Sequence, residues 1–148
     1  MISSKTLYEF IIKATSTLFI VLFVYAANSK FLDFEEFRIQ LGQSPIITAY
    51  ADWVAWGIPL LEYIIAILFF VPRLLVLAFY ASYVLMIMFT TYIYLILNFS
   101  DFIPCSCGGV LEELTWTEHM IFNLAFVAFA VIGVLFSAKQ ECLKHTTL

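Results

Sequence analysis

The chain has 148 residues, of which 64% are hydrophobic and 12% are charged, and its mean hydropathy is +1.00. A soluble domain has about 45–50% apolar and about 25% charged residues, so this composition excludes an ordinary soluble globule and a disordered segment. The formal net charge of −4 offers no basic surface to phosphates, which excludes a nucleic-acid-binding protein. The sequence therefore predicts an all-α integral membrane protein, with residues 1–148 forming a single domain in the lipid bilayer.

Four apolar segments follow one another along the chain, at about residues 8–27, 46–71, 74–99 and 117–138. A helix needs about 20 residues, each rising about 1.5 Å, to cross the hydrocarbon core of a bilayer. Each segment reaches that length. The pattern therefore predicts a four-helix transmembrane bundle.

A short, mixed segment separates the first two apolar runs. Asp33 occupies a typical N-cap position, Glu36 the reciprocal capping-box position, and Gly42 a helix stop. Phe34 and Phe37 give the segment an apolar side next to its charged residues. We predict a short interfacial helix here, along the membrane surface.

The second apolar segment contains a carboxylate, Glu62, about 11 residues or roughly 16 Å of helix from Arg73 at the following turn. An ionised carboxylate at that depth is costly unless it is paired, so we expect Glu62 to face the bundle interior, protonated or hydrogen-bonded to a tyrosine or Asn123. Its functional interpretation is a proton carrier or a contact for a bound quinone or lipid head group. Its structural interpretation is a hydrogen bond that locks the bundle.

The fourth apolar segment begins with Thr115-Trp116-Thr117-Glu118, a sequence that fits a capping box. His119 follows directly. A helix N-terminus and a protonated imidazole both favour the thiolate form of a nearby cysteine. His119 is therefore a candidate for activating a thiol, and the alternative is a histidine solvated at a helix end.

The basic residues are divided unevenly between the two ends of the predicted bundle. One end carries Lys5, Lys13, Arg73, Lys139 and Lys144, and the other carries Lys30 and Arg38. The positive-inside rule then places both termini in the cytoplasm and the stretch 101–113 outside a bacterial inner membrane.

Two cysteines, Cys105 and Cys107, fall in that outward stretch, within Pro-Cys-Ser-Cys-Gly-Gly. A disulfide between cysteines one residue apart closes a very small, strained ring, and strained disulfides exchange readily. The motif therefore predicts thiol–disulfide exchange. A static disulfide and a Cu(I) site with His119 or Met120 are alternatives, and a closed zinc site lacks a fourth ligand. Cys142 is predicted to be cytoplasmic and is assigned no role.

The order of these features resembles the MauE/DoxX family of redox-associated, four-helix membrane proteins. The resemblance extends from the first span to the fourth, and it rests on Lys30-Phe31-x-Asp33 with Phe37, Ser44-Pro45, Pro59-x-x-Glu62, Arg73, and Cys105-x-Cys107-Gly108. It implies periplasmic thiol–disulfide chemistry, maturation of disulfide-containing partners, or electron transfer to quinone.

Two functions are therefore predicted. In the first, Cys105 and Cys107 cycle between dithiol and disulfide against an extracytoplasmic thiol or disulfide protein, with electrons passing to or from a membrane carrier such as quinone. His119 then favours the thiolate, and Glu62 handles a proton or orients the quinone. In the second, the protein is a non-catalytic subunit of a larger membrane complex, its cysteines form a static disulfide, and Glu62 locks the bundle or meets a partner helix.

Overall fold

The structure, a computed structural model, describes residues 4–44, 47–99 and 115–146, and every element in these ranges is helical. The long helices are α1 (Ser4–Leu32), α3 (Ala51–Leu68), α4 (Leu75–Phe99) and α5 (Trp116–Thr146), with the short α2 (Phe34–Gln43) after α1. Single 3₁₀ turns, Thr48–Tyr50 and Pro72–Leu74, lead into α3 and α4. The predicted all-α fold, with a short helix after the first span, is confirmed.

Within the described ranges, four helical stretches are long and apolar enough to cross a membrane: Thr6–Leu32, Thr48–Leu68, Pro72–Phe99 and Trp116–Cys142. Their most apolar windows are only 28–39% buried inside the protein. Large apolar side chains consequently point outward, including Phe10, Trp53 and Phe70, each at least 69% exposed. Such a surface is stable in lipid rather than in water, and the chain is a multi-pass membrane protein.

The middle of the bundle is a cluster of aromatic rings around Phe19 of α1. Its ring lies 5.9 Å from that of Phe69 at the end of α3, 6.1 Å from Phe79 of α4 and 5.4 Å from Phe126 of α5. Phe19 and Phe79 are completely buried. One ring therefore ties α1 to the three other long helices, and each such pair contributes about 0.5–1.5 kcal/mol beyond simple burial.

A glycine allows α5 to approach α4 at the level of this cluster. Gly133 is buried, and a Cβ atom at its position would overlap the ring of Phe79. Among the helix pairs within the described ranges, α4 and α5 share the most extensive contact. The missing side chain therefore permits α5 to pack directly against the Phe79 ring of α4.

The backbone passes from α1 into α2 almost without leaving a helical path. The Asp33 N–H donates to the Ser29 carbonyl at 3.1 Å, and the Phe37 N–H donates to the Asp33 carbonyl at 2.9 Å. Because these bonds already satisfy the backbone groups at the junction, the Asp33 side chain makes no capping hydrogen bond. The predicted capping role of Asp33 is wrong, although Asp33 does occupy the N-cap position.

Apolar contacts and an ion pair fasten α2 to the first turns of α3. The Phe34 ring lies 4.6 Å from that of Trp56, and Leu41 packs in a small cluster with Ala51 and Ala55. The Arg38 guanidinium donates a hydrogen bond to the Asp52 carboxylate, and this bond and charge raise the pKa of Arg38 above its usual value. Both charged side chains are exposed, so the apolar contacts dominate the attachment.

The start of α5 follows the predicted capping box. The backbone N–H and the hydroxyl of Thr115 both donate to Glu118 Oε2 at 2.8 Å, and the Glu118 N–H donates to Thr115 Oγ1 at 3.4 Å. The reciprocal pattern is that of a capping box. It fixes the beginning of α5 at Trp116 and places His119 on its first turn.

Candidate functional site

The carboxylate of the second span forms a buried ion pair with a lysine of the first. Lys30 Nζ lies 2.8 Å from Glu62 Oε1, and the ammonium also donates to the Ala26 carbonyl at 3.3 Å. The Glu62 side chain is 0% exposed and that of Lys30 is 15% exposed. Two opposite charges therefore neutralise each other inside the bundle, between α1 and α3.

This pair corrects the surroundings predicted for Glu62. The sequence predicts a tyrosine or Asn123 as its partner, and it places Lys30 among the flanking charges outside the first span. The helix does not end near Ala27 but continues to Leu32, which keeps Lys30 on its last turn and allows the ammonium to reach Glu62. Sequence reasoning therefore missed Lys30, although the high cost of an unpaired carboxylate in a membrane already called for a cation.

A second polar contact joins the same two helices one residue further along α3. The Tyr63 hydroxyl donates to Asn28 Oδ1 at 2.6 Å. The ring of Tyr63 also stacks on that of Phe31 at 6.0 Å. The relative position of α1 and α3 at the ion pair is consequently fixed by two independent hydrogen bonds and an aromatic contact.

Helices α2 and α4 also contribute to the surroundings of the ion pair. The ring of Phe37 from α2 and the ring of Phe89 from α4 have their centroids 5.9 and 5.8 Å from Lys30 Nζ, within cation–π distance. Of the predicted site residues, Glu62 thus lies in a cluster with Lys30 and two aromatic rings, and His119 lies on the first turn of α5.

The ion pair leaves hydrogen-bonding capacity unused. Glu62 Oε2 is buried and has no hydrogen-bond partner among the described residues. An ammonium has three N–H donors, and the contacts to Glu62 and Ala26 account for two of those of Lys30. A buried polar group without a partner costs about 1–3 kcal/mol. The pair therefore offers a further molecule one acceptor and one donor, side by side in an apolar bundle.

Asn123, the other predicted partner of Glu62, lies one turn beyond His119 on α5. It is 3% exposed, and its Nδ2 also lacks a hydrogen-bond partner within the described part of the chain. Like Glu62, Asn123 is thus a buried side chain with a polar atom that has no partner among the described residues, and it lies on the helix that carries His119. It is not the partner of Glu62.

The predicted exchange pair, Cys105 and Cys107, lies outside the described residues. The two cysteines belong to the connection between Phe99, the last residue of α4, and Thr115, the cap of α5. That connection therefore leads directly into the turn that carries His119. Cys142 lies on α5 near its other end and is exposed.

Comparison with known proteins identifies the family. Residues 8–136 match the family model of the methylamine utilisation protein MauE, which supports the MauE part of the resemblance. No curated protein and no solved structure matches the chain significantly. The matched range contains Lys30, Glu62, His119 and both cysteines of the connection. Because it covers most of the sequence, from α1 to α5, the chain belongs to the MauE family.

Proposed function

We propose that this protein carries out thiol–disulfide exchange on the outer side of a bacterial inner membrane, with Cys105 and Cys107 as the exchanging pair. The observation that supports this proposal is the buried Lys30–Glu62 pair with its unsatisfied carboxylate oxygen. A bundle held together only by packing has no need of such a group. The Lys30–Glu62 pair lies at the end of the bundle where the cysteine-bearing connection enters α5.

The chain is long enough to bring a thiol to this site. Cys107 precedes Thr115 by eight residues. An extended chain covers at most about 3.5 Å per residue, or roughly 28 Å over that distance. A thiol that approaches the first turn of α5 meets a helix N-terminus, which favours the thiolate, and the imidazole of His119, which can accept the proton of the thiol.

The proposed chemistry balances as a two-electron exchange. A partner dithiol attacks the Cys105–Cys107 disulfide, the partner becomes a disulfide, and Cys105 and Cys107 become thiols. Their reoxidation releases two electrons and two protons, and a membrane quinone is the class of acceptor that takes up both. In this scheme Glu62 receives a proton from the thiol side, and Lys30 holds its carboxylate in place.

We further propose that both termini lie in the cytoplasm. The basic residues at the end of the bundle that holds the termini support this orientation. Exposed Trp53 and Trp56 lie near the opposite end, close to the start of α3, as expected of aromatic residues at a membrane–water interface. In this orientation the Lys30–Glu62 pair lies on the outer side, with the cysteines.

Trapping of mixed disulfides tests the exchange. We expect the single variant, Cys105→Ser or Cys107→Ser, that keeps the cysteine joined to the partner in the mixed disulfide to accumulate an adduct with an extracytoplasmic protein, because the cysteine that would resolve the adduct is missing. The double variant should form none, and Cys142→Ser should behave as the wild type. The adducts are measured by acid quenching, alkylation and non-reducing electrophoresis with mass spectrometry. Absence of any adduct, with normal oxidation of partner proteins in the double variant, would contradict the proposal.

One observation favours the second function, a non-catalytic subunit. The Lys30–Glu62 and Asn28–Tyr63 contacts both join α1 to α3, as a bundle lock would. In that case Cys105 and Cys107 remain permanently oxidised in intact cells, and their serine variants keep full activity. Thiol labelling with and without reductant distinguishes this result from the cycling that exchange requires.

A further inference from the structure

A lysine of α5 is held against a tyrosine of α1 near the end of the bundle that holds both termini. Lys139 Nζ donates a hydrogen bond to the Tyr8 hydroxyl oxygen at 3.2 Å and lies 5.0 Å from the centroid of the Tyr8 ring. The Phe136 ring, one turn before Lys139 on α5, packs on the same tyrosine with a centroid distance of 5.1 Å. Because Phe136 holds the ring and the ring holds the ammonium, the Lys139 charge has a defined position between α1 and α5.

This tyrosine–lysine pair has hydrogen-bond donors that it does not use. An ammonium has three N–H donors, and the contact with Tyr8 accounts for one of those of Lys139. The tyrosine accepts that bond, so its own O–H remains a donor. The ion pairs within the described ranges do not include Lys139, whose side chain is exposed. Glu141 is two residues away and therefore faces another side of α5. The pair thus presents a positive charge and several donors to an anion from outside the chain.

The pair lies at the level of the lipid head groups. Tyr8 is two residues from the start of the span Thr6–Leu32, and Lys139 is three residues from the end of the span Trp116–Cys142. These offsets correspond to roughly 3 Å and 4.5 Å of helix. A lysine stem is long enough to carry its ammonium over such a distance to the membrane–water interface. The anions found at this level of a bilayer are the phosphates of lipid head groups.

An apolar stripe of α5 leads from Lys139 into the bilayer. Leu135 and Ile132 precede Lys139 by four and seven residues, the spacing that places side chains on one face of a helix. They are 64% and 37% exposed. A phospholipid can place its phosphate at the lysine and an acyl chain along this stripe, whereas a free phosphate ion can use only the lysine.

The charge at this end of the bundle favours an anionic lipid over a zwitterionic one. The sequence places five basic and two acidic residues here: Lys5, Lys13, Arg73, Lys139 and Lys144 against Glu9 and Glu141. Basic residues near the head groups attract anionic lipids, and basic pockets between membrane-spanning helices bind their phosphates. A zwitterionic phospholipid carries its own ammonium beside the phosphate, which repels the lysine.

We propose that Tyr8 and Lys139 form a binding site for the phosphate of an anionic phospholipid, with one acyl chain along Leu135 and Ile132. The Lys139 ammonium supplies the opposite charge and two N–H donors, and the Tyr8 hydroxyl supplies a third donor. The site lies at the opposite end of the bundle from the Lys30–Glu62 pair, and it does not depend on thiol–disulfide exchange.

Native mass spectrometry of the full-length protein in detergent tests the site, with dioleoyl phosphatidylglycerol as the probe and dioleoyl phosphatidylcholine as the zwitterionic comparison. We expect one molecule of phosphatidylglycerol to bind at least tenfold more tightly than phosphatidylcholine. Lys139→Met should remove that preference. Tyr8→Phe keeps the ring and loses the hydroxyl, so it should weaken phosphatidylglycerol binding about threefold. The matched control Lys13→Met makes the same replacement at another exposed lysine, on a different side of α1 from Tyr8, and should bind as the wild type.

Equal affinity of Lys139→Met and Lys13→Met for phosphatidylglycerol, or equal binding of both lipids to the wild type, would overturn the inference. Lys139→Arg retains the charge and should keep the preference. Circular dichroism checks that each variant folds, and unchanged affinity of Tyr8→Phe would contradict the role of the hydroxyl independently of the lysine variants. An excess of inorganic phosphate should leave the bound lipid in place, and displacement by phosphate would contradict the assignment to a lipid.

Discussion

Lys30→Met is expected to destabilise the bundle by about 3–5 kcal/mol, because it leaves the fully buried Glu62 carboxylate without a counter-charge. Glu62→Gln should cost less. The Lys30 side chain is 15% exposed, and its ammonium keeps the hydrogen bond to the Ala26 carbonyl and the two neighbouring rings when the carboxylate is removed. The two single variants should therefore differ, with the lysine replacement the more damaging.

The variant that removes both charges identifies the reason for this loss. Lys30→Met/Glu62→Gln contains no uncompensated charge, and it should recover most of the stability that Lys30→Met loses. Stability is measured by denaturation with sodium dodecyl sulfate in mixed micelles, followed by circular dichroism. Lys13→Met is the matched control, because it makes the same replacement at an exposed position and should change stability by less than about 0.5 kcal/mol. If Lys30→Met is as stable as Lys13→Met, the ion pair does not support the fold.

Gly133→Ala is expected to destabilise the protein by about 1–3 kcal/mol, since its new methyl group overlaps the Phe79 ring. That ring has little freedom to move. It is fully buried and packs edge-to-face on Phe69 at 4.9 Å and on Phe19 at 6.1 Å. The methyl group must therefore push α5 away from α4 and disturb the aromatic cluster.

Gly57→Ala is the matched control for this prediction. Gly57 also lies inside a membrane-spanning helix, but a Cβ atom there would meet nothing within 4 Å. Alanine should be neutral or stabilise the protein by about 0.5–1 kcal/mol, because glycine is the poorer helix former. The same denaturation measurement compares the two. Equal stability of the two variants would show that Gly133 is not needed for the packing of α4 on α5.

The fold was largely predictable because the bilayer leaves so few alternatives. A segment without water around it must satisfy its backbone internally, so long apolar runs become helices. The start of α5 could be located from the sequence, because the side chains of Thr115 and Glu118 each accept a hydrogen bond from the other residue's backbone N–H. The end of α1 could not be located from the sequence, because the hydropathy falls at Asn28 to Lys30 while the backbone remains helical to Leu32.

The site was predictable only in part, for a physical reason. Glu62 is conspicuous because a carboxylate in a membrane is costly. Its partner Lys30 was not evident from the sequence. Helices α1 and α3 are apolar around most of their circumference, and the sequence of such a helix does not show which face turns inward. The meeting of Lys30 and Glu62 depends on those rotations. The roles of Cys105 and Cys107 remain predictions from the motif and its place between α4 and α5.

The oxidation of Cys105 and Cys107 in living cells, followed after a short pulse of dithiothreitol, tests most directly whether the buried ion pair serves thiol chemistry. The wild-type protein is compared with Lys30→Met/Glu62→Gln at equal membrane abundance, and the thiols are trapped by acid and alkylated. We expect the wild-type cysteines to return to the disulfide and those of the double variant to do so at least tenfold more slowly. Equal recovery in both proteins would show that Lys30 and Glu62 take no part in it.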